Sequence, residues 1–158
     1  MSENRNHLLH DINDALGIPL SRRKTVARAE MAWWQSEGGA TSSADLHGAI
    51  SPGQETDWNP FNTTKRWGNS HDQPGNSVPV QVYASRADGI AATVSTLNEP
   101  RYADLRKAMM TPGVHAKTIC KRIVESDWGT VEHPMYDVLE DITKRGLYDS
   151  YNLRVYPS

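Results

Sequence analysis

The feature that most constrains the fold is the junction at residues 32–39, which reads Ala-Trp-Trp-Gln-Ser-Glu-Gly-Gly. An alanine-rich stretch meets two consecutive glycines here, and glycine commonly ends a helix because it adopts left-handed backbone conformations. Val26, Ala29 and Trp33 have the three- and four-residue spacing of a buried helical stripe. We therefore predict a central helix, capped by Ser21 or Thr25, whose last turn holds Glu37.

The stretch from Gly38 to Val78 is rich in Gly, Ser, Asn, Pro and Asp and contains few aliphatic residues. So long an irregular segment within a compact domain is usually functional or disordered, and its aromatic residues Trp58, Phe61 and Trp67 favour a functional segment. Within it, residues 58–64 form a polar and aromatic run that is expected to fold back over the end of the central helix. These two pieces would form the halves of one cleft.

The remaining patterns predict a mainly α, α+β domain with a small β or loop-rich insertion that leaves a substrate groove. Helical spacing marks segments 8–18, 85–97, 101–110, 112–124 and 136–146, with Ser85 as a cap, Pro112 in a first turn and Gly146 as a stop. Alternation from Val78 to Tyr83 predicts a short edge strand, and residues 147–158 are expected to be extended.

Composition bounds the class of protein. With 158 residues, 37% hydrophobic and 23% charged, the chain is expected to form one soluble domain over residues 1–158. The net charge of -2 argues against a nucleic-acid partner, and no apolar run is long enough to suggest a membrane partner. The single cysteine, Cys120, excludes an internal disulfide and is expected to be buried.

Several short motifs occur in an informative order. They are Glu37-Gly38, Asn-Pro-Phe-Asn at 59–62, Val-Gln-Val-Tyr-Ala-Ser at 80–85, Asp-Gly-Ile-Ala-Ala-Thr at 88–93, Leu97 and Tyr102. This order resembles the lysozyme-like superfamily of peptidoglycan glycosidases. It is most similar to bacterial endo-β-N-acetylglucosaminidases and lytic transglycosylase-like enzymes, including compact relatives in phages and actinobacteria. The resemblance covers residues 26–130.

The resemblance implies a lysozyme-like fold in which Glu37 protonates the glycosidic oxygen. Glycoside cleavage needs such an acid, and an apolar setting of the kind that Trp33, Trp34 or Phe61 would provide favours a protonated carboxyl. The residues expected to bind the sugar are Trp58, Asn59, Phe61, Asn62, Gln81 and Tyr83. The alternative for the aromatic residues is that they staple a loop without aliphatic side chains. Trp67 is expected to be the most exposed of them.

A second carboxylate is not singled out by any local motif. Asp45, Glu55, Asp57 and Asp72 each suit the holding of a water for inversion. Lytic transglycosylases of this superfamily manage without one, because the 6-hydroxyl of the sugar attacks intramolecularly. Hydrolysis and transglycosylation therefore both stay open, and Glu30, two turns before Glu37, is expected to be structural.

The expected partner is the glycan strand of bacterial peptidoglycan, with no cofactor and no metal. The polar amino terminus lacks a signal-peptide core, so we expect a phage enzyme that reaches the wall from the host cytoplasm at lysis or is carried with tail or other virion proteins. Two alternatives remain open, an inactive peptidoglycan-binding or structural virion protein and a peptidoglycan peptidase. The peptidase lacks a Cys/His or His-Glu-x-x-His signature, and His7 with His10 lacks an obvious third ligand.

Overall fold

The computed structural model describes residues 5–37, 58–75, 77–128 and 132–144. Within these ranges the chain forms helices α1 (Arg5–Leu16), α2 (Arg23–Ser36), α3 (Arg86–Leu97), α4 (Ala103–Met110), α5 (Ala116–Glu125) and α6 (Glu132–Lys144), and strands β1 (His71–Asp72) and β2 (Gln81–Val82). Short 3-10 turns precede α2 and α4. The mainly helical α+β class predicted from the sequence is confirmed.

Helix α2 is the centre of the core. It packs against α1, α5 and α6, while α3 packs on α1, and α5 on α4 and α6. The predicted stripe of Val26, Ala29 and Trp33 is fully buried. The stripe was too narrow as a prediction, because Met31 and Trp34 on other sides of the helix are buried as well. Helix α2 is therefore buried on nearly every side and is surrounded by the other helices.

The start of α2 differs from the prediction. Neither Ser21 nor Thr25 is its cap, because the helix begins at Arg23 directly after a 3-10 turn and its cap position is Arg22. The Arg22 guanidinium instead donates hydrogen bonds to the carbonyl oxygens of Met109 and Ala108, at 3.0 and 3.1 Å. These carbonyls lie at the end of α4, where backbone acceptors lack helical partners. A tertiary contact therefore determines this helix start.

Of the predicted starts of α3 and α5, the first is confirmed and the second is wrong. Ser85 caps α3 as predicted, since its hydroxyl accepts the backbone N–H of Asp88 at 3.1 Å. Pro112 does not lie in the first turn of α5, because that helix begins only at Ala116. Gly113 adopts a φ of 84°, a conformation that forms a turn and cannot continue a helix.

The predicted strand at Val78 to Tyr83 is present only as the two residues of β2. They pair antiparallel with β1, so that His71 faces Val82 and Asp72 faces Gln81. Pro79 has no N–H to donate, which limits the ladder on its amino-terminal side. A short edge strand is therefore present, as predicted, but its predicted length was wrong.

Some predictions fall outside the described residues: the cap at Gly146, the extended tail 147–158, and the carboxylates Asp45, Glu55 and Asp57. Cys120 is buried as predicted, and burial raises the pKa of its thiol to about 12. None of the helices in the described part of the chain has the length and hydrophobicity of a membrane span.

Candidate active site

Glu37 lies at the end of α2, as predicted. The helix ends at Ser36, and the backbone N–H of Glu37 still donates to the carbonyl oxygens of Trp33 and Trp34, at 3.0 and 3.2 Å. Glu37 is half-buried, whereas Trp33 and Trp34 are buried. The carboxylate is therefore attached to a rigid part of the core and lies where the chain reaches the surface.

Asn62 holds Glu37 from across the chain. Its side-chain Nδ2 donates to the backbone oxygen of Glu37 at 3.0 Å and to the carboxylate Oε2 at 3.2 Å. Asn62 has a φ of 56°, in the left-handed region that asparagine adopts more readily than most residues. One side chain thus fixes both the backbone and the carboxylate of the glutamate, and the expected meeting of the helix end with the 58–64 segment is present.

A cluster of aromatic side chains packs beside the contact between Glu37 and Asn62. Trp33 and Phe61 stack with ring centroids 4.0 Å apart and an interplanar angle of 8°. Trp128 approaches Trp33 edge-on at 4.7 Å, and its Nε1–H donates to the carbonyl oxygen of Phe61 at 2.5 Å. Aromatic contacts of this kind bury large areas and restrict relative motion. The residue next to Asn62 is therefore anchored to the helix that bears Glu37.

The turn before Asn62 is locked by its own polar groups. Asn59 Nδ2 donates to the carbonyl oxygens of Thr63 and Gln81, and Asn59 Oδ1 accepts the N–H of Thr63, all within 2.8–2.9 Å. The hydroxyls of Thr63 and Thr96 are 2.8 Å apart, which joins the turn to α3. The conformation around Asn62 is thus fixed before any ligand arrives.

Close approach of the turn to α3 also requires a glycine. Trp58 has a φ of 50°, and its backbone lies over Gly89 in the first turns of α3. A Cβ added at Gly89 would lie only 2.2 Å from the Trp58 carbonyl oxygen. Any side chain at this position would therefore push the turn away from the helix.

Burial disagrees with the expectation of direct sugar contact for three residues. Phe61 and Gln81 are each 0% exposed and Tyr83 is 1% exposed, so these side chains build the turn and hairpin instead. Gln81 Nε2 donates to Asp72 Oδ1 at 2.8 Å, and the Tyr83 hydroxyl donates to the Lys65 carbonyl oxygen at 2.6 Å. Burial raises the pKa of Tyr83 to about 12.

The other three predicted contacts are placed differently. Asn59 is 9% exposed and serves the turn, while Trp58 and Asn62 are half-buried and reach the surface. Trp67 is 37% exposed, as expected. Among the predicted sugar-binding residues, Asn62 is in hydrogen-bond contact with Glu37.

A cavity of about 200 Å³ adjoins this contact through Asn62. Its lining comprises Asn62, Thr63, Thr64, Val78, Thr96, Arg101, Tyr102, Asp127 and Trp128. Arg101, Asp127 and Trp128 were not predicted as site residues. Trp128 follows the end of the predicted helical segment 112–124, and an isolated tryptophan after a helix end is a signal that could have indicated a site residue.

The described carboxylates differ in environment. Asp72 is exposed and pairs with Arg66 at 3.0 Å in addition to its bond from Gln81. Asp127 is exposed and lines the cavity beside Asn62. Glu30 is fully buried, and Asn13 Nδ2 donates to its Oε1 at 2.6 Å. Burial raises the pKa of Glu30 to about 8, and this buried network agrees with the structural role expected for it.

One cluster has the donor types of a metal site. The ligand atoms of His10, Asp11 and Asp14 lie within 4.8 Å of one another. However, Arg23 donates to Asp14 at 2.8 Å and Arg86 pairs with Asp11 at 2.7 Å. Two guanidinium groups thus already neutralise both carboxylates, and we assign no metal to this cluster.

Comparisons of the chain with protein-family models, with curated proteins and with solved structures found no match.

Proposed function

We propose that this chain cleaves the glycan backbone of bacterial peptidoglycan, with Glu37 as the general acid. The observation that carries the proposal is the contact between Glu37 and Asn62, in which the Asn62 amide holds the glutamate and itself lines a cavity. A positioned carboxyl on a rigid helix end suits proton delivery, because general acids act only within hydrogen-bond reach of the leaving oxygen. The motif order that resembles lysozyme-like glycosidases supplies the substrate class.

In the proposed reaction, Glu37 transfers its proton to the glycosidic oxygen as the bond from that oxygen to the anomeric carbon breaks. Positive charge then develops on the sugar ring, and an oxygen nucleophile attacks the anomeric carbon. Attack by water yields a reducing end, whereas attack by the 6-hydroxyl of the same sugar yields an anhydro sugar. In either case the attacking oxygen loses a proton to a carboxylate, which restores the proton of Glu37. Asp127 is the described carboxylate lining the cavity, which makes it the candidate to hold a water.

The test is digestion of purified peptidoglycan by the wild-type chain and by Glu37→Gln, with products identified by mass spectrometry. Glutamine keeps the size of the side chain and can still contact Asn62, but it cannot supply a proton. The matched control is Glu125→Gln, an exposed glutamate at the end of α5. We expect wild type and control to release muropeptides and Glu37→Gln to lose at least about a hundredfold in rate.

The products separate the competing functions. New reducing ends or anhydro sugars support the glycosidase and name its reaction, and new free amino groups would instead indicate a peptidase. Equal release by wild type and Glu37→Gln would remove Glu37 as the acid. Binding to peptidoglycan without any release would point to an inactive binding or structural protein. We propose a phage as the setting, with the enzyme either released at lysis or carried on the particle.

A further inference from the structure

Glu30 and Asn13 join the middle of α2 to α1 through a short hydrogen bond inside the core. Asn13 Nδ2 donates to Glu30 Oε1 at 2.6 Å, across 17 positions of the chain. Both residues are 0% exposed, so the bond is closed off from the surface. Because a carboxyl group is costly to bury, the remaining polar atoms of this pair should also have partners.

The second oxygen of each side chain lacks a donor, however. Glu30 Oε2 and Asn13 Oδ1 are both buried, and neither receives a hydrogen bond from the described part of the chain. Both atoms are acceptors while Glu30 is ionised, so in that state they cannot satisfy each other. Buried polar atoms are normally paired, and these two oxygens therefore require a donor.

The cation that acts on Glu30 is Arg23, and it does not supply this donor. Its Nε donates to the Ile18 carbonyl oxygen at 2.7 Å, and one terminal nitrogen donates to Asp14 at 2.8 Å. The other terminal nitrogen lies 3.4 Å from His10 Nδ1. The guanidinium is thus directed to three other acceptors.

The other charged groups near these helices are engaged elsewhere. Arg86 of α3 pairs with Asp11 of α1 at 2.7 Å, and Arg22 donates to carbonyl oxygens at the end of α4. The Cys120 thiol of α5 is buried, and burial raises its pKa to about 12, so it stays neutral. No further charge in the described part of the chain affects the pKa of Glu30. The other buried side chains that α5 and α6 contribute there are apolar: Ile119, Ile123, Met135, Leu139 and Ile142.

We propose that Glu30 and Asn13 form a proton-dependent clasp between α2 and α1, in which Glu30 Oε2 carries a proton and donates it in a hydrogen bond to Asn13 Oδ1. A carboxylic acid offers one donor and one acceptor, and a primary amide offers the same pair of functions. The two planar groups can therefore be joined by two parallel hydrogen bonds of opposite direction. This arrangement satisfies both remaining oxygens without any further group.

The clasp makes the contact between α1 and the central helix sensitive to pH. When Glu30 loses its proton to solvent, Asn13 Oδ1 loses its donor and a negative charge remains in the core. Burial raises the pKa of Glu30 from 4.5 to about 8. The stabilising effect of the clasp is therefore complete below about pH 4.5 and is lost as the pH rises through about 8.

The first test is a pH titration of the full chain by NMR, with ¹³C in the side-chain carbonyl carbons of glutamate and asparagine. Glu30→Gln and Asn13→Leu assign the two signals by removing them. At about pH 6 an ordinary exposed glutamate is ionised, whereas the Glu30 carbon should keep the chemical shift of a protonated carboxyl. The Asn13 carbon should move with the same midpoint as the Glu30 carbon, because its oxygen loses the donor at that point.

The second test is urea unfolding at about pH 5. Glutamine has one donor and one acceptor for Asn13, so Glu30→Gln should unfold within about 0.5 M urea of wild type. Glu30→Met keeps the volume but leaves both polar groups of Asn13 without partners, and its midpoint should fall by about 1 M or more. Adding Asn13→Leu to Glu30→Met should recover part of this loss. The control is Glu125→Met, at an exposed glutamate of α5, which should unfold with wild type.

An ionised Glu30 at about pH 6 would overturn the clasp, because another donor, such as a bridging water, would then have to serve the two oxygens. A protonated Glu30 whose titration leaves the Asn13 carbon unchanged would overturn the bond to Oδ1. Equal destabilisation by Glu30→Gln and Glu30→Met would overturn the reciprocal pairing. None of these measurements involves peptidoglycan, so their outcome is independent of the glycosidase proposal.

Discussion

In the wild-type chain, the buried carboxyl of Glu30 is expected to lower the stability of the fold as the pH rises. Replacing Glu30 by glutamine should remove this loss of stability. Glu30 is completely buried on α2, and burial is the main cause that raises its pKa from 4.5 to about 8. The hydrogen bond from Asn13 and the charge of Arg23 lower that pKa in part. The Arg23 guanidinium itself donates to the Ile18 carbonyl oxygen and to Asp14, so it is shared among several acceptors.

The direction of this pH dependence follows from the raised pKa of Glu30. The folded chain holds the Glu30 proton more tightly than the unfolded chain, so this stabilisation is complete below about pH 4.5 and is lost as the pH rises towards 8. Each unit of pKa difference corresponds to about 1.4 kcal/mol. The wild-type chain should therefore lose about 5 kcal/mol of unfolding free energy from this group across that interval.

The assay is urea unfolding followed by tryptophan fluorescence, in steps of about one unit from about pH 5 to about pH 8. Glutamine cannot ionise, so Glu30→Gln should gain stability relative to wild type by several kcal/mol across this range. The control, Glu125→Gln, replaces an exposed glutamate. Wild type and Glu30→Gln share all other titrating groups, whose effects cancel in the difference between these two chains. A difference between Glu30→Gln and wild type that stays constant with pH would refute the reasoning.

Three further changes test the site. Glycine in Asn62→Gly tolerates the φ of 56°, so the fold should survive, but both hydrogen bonds to Glu37 are lost. We expect kcat for peptidoglycan digestion to fall about tenfold or more, and an unchanged kcat would contradict the positioning role of Asn62. Gly89→Ala places a methyl group 2.2 Å from the Trp58 carbonyl oxygen and should cost at least about 2 kcal/mol in urea unfolding, whereas full stability would show that the turn moves freely. Phe61→Ala should cost about 3–5 kcal/mol of unfolding free energy, and a thermal shift near zero would argue against its stacked, buried place.

Helical spacing was sufficient to predict most of the helices, because three- and four-residue periodicity reports directly on a shared buried face. The end of α2 was predicted from the two glycines that follow Glu37. It could not predict where α2 begins, since that depends on hydrogen bonds from Arg22 to α4. The meeting of Glu37 with the 58–64 segment was predicted, because the glycines after Glu37 and the polar and aromatic run at 58–64 are local signals. The burial of Phe61 and Tyr83 was not, since an aromatic residue in a polar segment suits either a sugar or a core.

Glu30 affects the stability of the fold and Glu37 is proposed to act in catalysis, and both belong to the α2 segment. They lie seven residues apart, which places them about 10 Å apart along α2 and on nearly the same side. Yet Glu30 is enclosed with Asn13, whereas Glu37 reaches Asn62 at the surface. Since different neighbours hold the two carboxyls, their substitutions should separate: Glu30→Gln should change the pH dependence of unfolding and leave kcat within about twofold, and Glu37→Gln should do the reverse. Loss of activity in Glu30→Gln at a pH where it is fully folded would show that the buried network also positions the helix end.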